Sequence, residues 1–262
     1  MRQFAYGRRP PAPRGPKQLR AALLMSGALD ALGAAPPQSI DYVSAVGFQF
    51  NSYDNEDIGD CVPTDTANSL ILRTANADGA PVIPTLSQVV GLYSTVGGYV
   101  IGNEATDNGC DVEAMCNYMV TTGFLGHKAA ATGNVDHTNL DHCRWAQRLF
   151  GTCRLGWNLP GYAEDLFMAG KRWDVQSTGD QSIEGHDTAM VDYGPDGTLY
   201  VVSWFNSAAA YERHLVPVTP AFAAKYLEEA SADVFPDWIA AQGIAPSGFD
   251  IADLTAKLKE VA

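Results

Sequence analysis

Gly59-Asp60-Cys61-Val62-Pro63-Thr64 is the stretch that decides the fold. Its first half has the composition of a tight turn. Its second half runs into Thr64 to Ala75, where apolar residues recur at helical spacing and Pro63 suits a first-turn position. Cys61 is therefore expected at the amino end of a helix. Unpaired backbone N–H groups and the helix dipole favour negative charge there, which is expected to lower the thiol pKa and raise the thiolate fraction. A nearby imidazole would complete the activation. Gly185-His186-Asp187-Thr188-Ala189-Met190-Val191-Asp192-Tyr193, then Gly194-Pro195-Asp196-Gly197, then Thr198 to Phe205, reads as two strands joined by a turn. His186 opens the first of these strands near a sheet end.

These residues resemble papain-like cysteine peptidases, in which the nucleophile starts a long helix in the first half and the histidine starts a strand in the second. Asn55 lies six residues before Cys61, where the family places a glutamine whose amide helps the Cys backbone N–H hold the oxyanion. Leu86 to Tyr93, then Asp107-Asn108-Gly109-Cys110-Asp111, resembles the family's second helix and the start of its third. Val201-Val202-Ser203-Trp204-Phe205-Asn206 resembles the strand ending in Asn-Ser-Trp. The resemblance implies Asn206 or Ser203 as the group that orients His186, and Trp204 as its shield. Two departures stand out: Val62 replaces an aromatic residue, and Ile58 replaces a half-cystine, so the usual disulfide there cannot form. The likeness spans roughly residues 41–216 and fits bacterial and phage-encoded relatives better than secreted digestive enzymes.

The fold class implied is α+β, with a helical lobe, an antiparallel β-sheet or barrel lobe, an extended N-terminal arm and C-terminal helices. The division expected is an arm with a short apolar segment over 1–38, a papain-like domain over 39–218 and a helical extension over 219–262. The activity implied is cleavage of a peptide or amide bond in a peptide or protein substrate through a thioester acyl-enzyme. The alternative is a catalytically degenerate scaffold with a structural or interaction role, as in a phage particle. Val62, the displaced orienting position and the basic arm favour that alternative.

No metal or cofactor is expected. Cys110 and Cys116 form no CxxC pair, no histidine stands at a zinc-like offset, and no phosphate loop or dinucleotide fingerprint occurs. Cys110, Cys116, Cys143 and Cys153 read as structural thiols. His137 belongs to a loop in which Thr138 or Asn139 caps the next helix, His142 reads as helical and solvated, and His127 and His214 have no recognisable partner. Asp187 should point to the strand face opposite His186 and so orient it poorly, and Asp192 reads as a surface carboxylate. Trp157 is a candidate wall of the cleft, and Asp54, Glu56, Asp57 and Asp60 a candidate acidic rim favouring basic substrates.

A chain of 262 residues with 46% apolar content can bury a sizeable core. Its charge is uneven. Residues 1–20 hold Arg2, Arg8, Arg9, Arg14, Lys17 and Arg20 without an acid, leaving 11 basic against 30 acidic residues, or −19, for the remainder. An acidic body disfavours nucleic acid. The proline-rich run Arg8 to Pro16 reads as extended, expected to dock on its own body or on a homo-oligomeric or phage structural partner. A short autoinhibitory segment is a further reading of it. The apolar stretch Ala21 to Leu29 is interrupted by Asp30, so secretion is disfavoured, and no run approaches the ~20 apolar residues of a membrane span. The odd cysteine count favours reduced thiols in a cytoplasm, host cytoplasm or virion.

Helices are expected at 64–76, 86–96, 110–123, 138–150 and 219–232, with Thr85 or Ser87, and Asp107, as caps. Strands are expected at 124–135 and 151–159. Gly161 to Gly185 reads as a surface crossing without periodicity. Ile251, Leu254, Leu258 and Val261 mark one apolar face of a terminal helix.

Overall fold

A computed structural model describes residues 6–13, 15–33, 35–46, 50–78, 80–203, 215–235, 238 and 250–261. In chain order its elements are α1 (Pro16–Asp30), α2 (Cys61–Asp78), α3 (Leu86–Gly97), α4 (Val112–Thr121), β1 (Ala131–Val135), α5 (Leu140–Phe150) and β2 (Cys153–Pro160). Then follow α6 (Tyr162–Met168), β3 (Ile183–Tyr193), β4 (Leu199–Val202), β5 (Leu215–Val218), α7 (Pro220–Tyr226), β6 (Leu227–Val234) and α8 (Ile251–Val261). The fold is α+β. Among the described residues six strands form one antiparallel sheet in the order β1-β6-β2-β3-β4-β5. Among the described residues no helix is long and apolar enough to cross a membrane.

Two apolar clusters flank the sheet. One gathers α2, α3 and α4 against Ala189, Val191 and Val202. The other packs α5, α6 and α7 against the opposite face, where Met190, Tyr193 and Trp157 point. Both faces of β3 are thus covered, which explains why residues 188–191 read as a continuous rather than alternating apolar run. Helices α1 and α8 close the β1 end: Met25 and Leu29 are buried beside Leu254 and Leu258. The apolar face foreseen on the terminal helix is core, with Ile251, Leu254, Leu258 and Val261 all buried.

Helix α2 belongs to the first cluster and is buried from Cys61 to Ala75. Its polar residues are held by specific partners, as burial requires. Asn68 exchanges two hydrogen bonds with the Asn51 backbone (3.0 and 2.8 Å), tying the approach loop to the helix. Arg154 on β2 reaches across to Asp187 on β3 (2.6 Å) and to Asp65 on α2 (3.1 Å). It also donates to Thr66 Oγ1 (2.8 Å) and to the Val62 carbonyl (3.2 Å). Burial pushes both carboxyl pKa values up, and the Arg154 guanidinium between them opposes that rise. This cluster locks the helix bearing Cys61 to the strand bearing His186.

Several local expectations change. The segment foreseen as a helix over 219–232 is α7 for one short helix and then β6, which pairs with β1 on one side and β2 on the other. Its Leu-Glu-Glu-Ala composition suits a helix in isolation, but the gap between two strands prevails. The 161–185 crossing contains α6, seven residues long. The 124–135 strand begins only at Ala131, because residues 124–127 close a tight turn through Phe124 and His127. Thr85 caps α3 in a capping box and Asn139 caps α5. Asp111, not Asp107, caps α4. His142 is buried and bonded to Asp30 Oδ1 at 2.8 Å rather than solvated, because α1 lies over α5.

Replacing Arg154 with Met leaves two carboxyl groups buried without their cation, so folding stability should fall by about 3 kcal/mol or more. Urea unfolding checks this, and a loss under about 1 kcal/mol would remove the cluster's assigned role.

Candidate active site and its occupant

The approach to Cys61 is a stapled loop. Tyr53 and Asp54 adopt left-handed backbone (φ 53° and 67°), and the Asp54 carbonyl accepts from Asp57 and Ile58 N–H. Gly59 N–H donates to the Asp107 carboxylate (3.0 and 3.1 Å), which also receives Tyr93 Oη (2.6 Å). Asp107 therefore aims the turn before Cys61. The Asp60 carbonyl accepts from Thr64 N–H (2.9 Å) and opens α2, so Cys61 occupies the first turn. Asn55 is buried in this loop and donates through Nδ2 to the Ile58 carbonyl at 3.2 Å. The Asp60 side chain is buried, which pushes its carboxyl well above the usual range. Of the proposed acidic rim only Asp54, Glu56 and Asp57 are even partly exposed.

On the opposite wall His186 sits in β3, paired across to Trp157 in β2. Its Nε2 lies 3.1 Å from Ser203 Oγ. Ser203 is therefore the described residue in orienting position; Asn206 and Trp204 lie outside the described residues, as does His214. An aromatic cover of His186 comes from Trp173, edge-on at 6.5 Å between centroids. Trp173 lies in the 161–185 segment that the sequence left without features. Trp157, the suggested cleft wall, instead buries its ring in the sheet core, donating Nε1–H to Thr188 Oγ1 (2.8 Å). The Asp187 side chain turns to Arg154, away from the imidazole, but its backbone N–H faces the Cys61 sulfur. The thiol therefore lies against the residue that follows His186.

The cleft between these walls is filled by the chain's own arm. Tyr6 to Arg9 lie in it, bonded to both walls. Arg8 N–H donates to the Gly185 carbonyl (3.0 Å), Cys110 N–H to the Gly7 carbonyl (2.6 Å), and Arg9 N–H to the Cys110 carbonyl (3.0 Å). The pairing of Arg8 with Cys110 is a parallel bridge. A Cβ on Gly7 would overlap the Gly59 carbonyl, and one on Gly109 would overlap the Gly7 carbonyl, so glycine alone lets these backbones meet. Gly7 N–H faces the Cys61 sulfur, and the Tyr6 ring packs edge-on against His186 at 6.1 Å. Docking on the body, foreseen for the arm, is what the structure contains.

This burial sets the charge state of both groups. Cys61 is 1% exposed. Desolvation, and next the Asp187 charge, push its thiol well above the usual range; the Gly7 and Asp187 N–H groups oppose this without reversing it. The lowered thiol pKa expected from the helix start is thus overturned, because loss of water outweighs the dipole. His186 is pushed down to about 3 by burial and by the Arg8 guanidinium. With the arm seated, the site holds a neutral thiol and a neutral imidazole. The five cysteines are all unpaired and buried, and among the described residues no group of three or more His, Cys, Asp and Glu could hold a metal ion.

The architecture is shared with solved cysteine proteases. The chain superimposes on xylellain, a cysteine protease from Xylella fastidiosa, with TM-score 0.64 at 13% identity, over 89% of this chain and 97% of that one. It matches procathepsin B from Trypanosoma congolense with TM-score 0.57 at 13% identity, over 88% and 86% of the two chains. It matches a recombinant stem bromelain precursor with TM-score 0.57 at 10% identity, over 90% and 78%. No family model and no curated protein sequence matches the chain. The fold is papain-like.

Unfolding lets His186 take a proton at its ordinary pKa of 6.5, while the folded ring resists down to about 3, so its contribution to stability falls as pH drops through that window. Buried carboxyls with raised pKa push the other way, and a His186→Gln variant separates the two. Relative to that variant, the native chain should lose about 2 kcal/mol between about pH 7.5 and about pH 5. Parallel urea-unfolding profiles for the two proteins would contradict the assigned environment of the ring.

Proposed function

We propose that this protein is a cysteine peptidase held latent by its own N-terminal arm. The observation that carries the reading is the seat of Gly7 and Arg8: arm backbone is hydrogen-bonded to both walls, and Gly7 is packed against Gly59 in the turn that leads into Cys61. A cleft that accepts one extended peptide segment beside a thiol and an imidazole can accept another. Two of the similar structures are named as a proenzyme and a precursor, which suits a latent state.

With the arm displaced, water returns and the Arg8 charge leaves. Both changes move the pair toward thiolate and imidazolium: rehydration lowers the thiol pKa, and rehydration together with loss of the neighbouring cation raises the imidazole pKa. The helix-start position of Cys61 then favours the thiolate. The sulfur attacks a peptide carbonyl carbon, and electrons move onto the oxygen. Cys61 N–H and the Asn55 amide are the assigned donors to that oxygen, which requires Asn55 to turn from the Ile58 carbonyl. Collapse breaks the C–N bond, and His186 gives its proton to the departing amine. Water, deprotonated by the now neutral imidazole, attacks the thioester; the acid leaves and the thiol is regenerated. Ser203 acts as the positioning residue by accepting Nε2–H, which leaves Nδ1 as the working nitrogen.

Gly7→Val tests latency without touching either reacting group, since its side chain would overlap Gly59. At neutral pH iodoacetamide should modify Cys61 in this variant at least about tenfold faster than in the native chain, and adding His186→Ala should abolish most of the gain. Peptide mapping by mass spectrometry locates the modified thiol. Equal, slow reaction of Cys61 in all three proteins would replace this reading with that of a papain-like scaffold without activity.

A further inference from the structure

Arg8 does more than hold the arm. Its side chain is fully buried in a pocket built by the body. Nη1 donates to Glu229 Oε1 (2.7 Å), Nη2 to Glu228 Oε2 (2.6 Å) and Asn158 Oδ1 (3.0 Å), and Nε and Nη2 share the Trp157 carbonyl (3.2 and 2.9 Å). The acceptors come from β2 and β6 where their register slips between Gly156 and Trp157. Gly156 makes the floor, since a Cβ there would meet Arg8 Cδ at 2.8 Å and Glu229 Cγ at 2.6 Å.

We propose that this pocket is a specificity site that selects an arginine side chain in the peptides the cleft cleaves. The inference rests on the peptidase reading above. Its acceptors stay with the body when the arm leaves, so the neighbouring Glu228 and Glu229 carboxylates then lose the Arg8 guanidinium. A peptide that enters the slot relieves this by supplying one. The planar five-donor fork matches carboxylates, amide and carbonyl arrayed around it, whereas an ammonium offers one compact centre and reaches fewer of them. Arg8 is the neighbour of Gly7, the residue at the sulfur, so the pocket reads a side chain one residue away from the position held against Cys61.

The test uses full-length Arg8→Ala, which empties the pocket, and Arg8→Gln, which nearly keeps the side-chain length if the first folds poorly. Each is treated with an acyl-Arg-Gly chloromethyl ketone, with the same compound carrying citrulline in place of arginine, and with iodoacetamide. Citrulline keeps the shape and removes the charge. The arginine compound should alkylate Cys61 on the order of 10- to 100-fold faster than the citrulline one, and Glu229→Gln added to the same variant should shrink that ratio to a few-fold. Equal rates for the two peptides, with Cys61 reactive toward iodoacetamide, would overturn the pocket and leave the peptidase reading intact. Failure of all three reagents at Cys61 would overturn both.

Discussion

A guanidinium taken out of water is the constraint on which the state of this molecule depends. Desolvation alone would lower the Arg8 pKa; Glu228 and Glu229 outweigh it and raise it, so the arm's anchor stays charged inside the cleft. Burying such a cation is tolerable only where its donors are matched, and here they are met from two strands. The anchor fixes the residue before it. Gly7 can pass Gly59 and Gly109 because none of the three carries a side chain, and from that seat it keeps solvent from the thiol.

Cys61 and His186 owe their relative position to a different element. Arg154, Asp65 and Asp187 fasten α2 to β2 and β3 from beneath, independent of the arm. The walls of the slot are therefore built by the body, and the arm changes chiefly their hydration and their field. Burial raises the thiol pKa of Cys61 and lowers the imidazole pKa of His186, and the arm's Arg8 guanidinium lowers the imidazole further. The same helix start that sequence reasoning credited with activating Cys61 is present, yet it is overruled while water is absent.

What the sequence disclosed were features written in short range. The Gly59-Asp60-Cys61 turn, Pro63 and the spacing after Thr64 announce α2, and the run after His186 announces β3, because each pattern lies within one element. What stayed hidden depends on partners far along the chain. Residues 227–234 become a strand only between β1 and β2. Trp173 reaches His186 from a segment with no periodicity, and Asp107 looked like a helix cap but serves Gly59, some 50 residues earlier. Ser203 and Asn206 stood as rival orienting groups because the count of positions along β4 does not by itself fix which one meets the imidazole; Ser203 is bonded to His186, and Asn206 lies outside the described residues. The Arg8 pocket was equally out of reach, since its acceptors lie about 150 and 220 positions away. The basic arm against an acidic body was the one visible sign; it pointed to docking on the body or on a partner subunit, and the structure contains the first.

Backbone hydrogen exchange in the intact protein, read at single-residue resolution, detects whether the arm sits in the cleft. The Arg8 and Arg9 amides are bonded to Gly185 and Cys110, and the Cys110 amide to Gly7. Exchange at these three positions should be slowed on the order of 10³-fold or more relative to an unstructured chain. Free-chain exchange at Arg8 and Arg9, while amides of α2 remain protected, would show that the arm does not occupy the cleft.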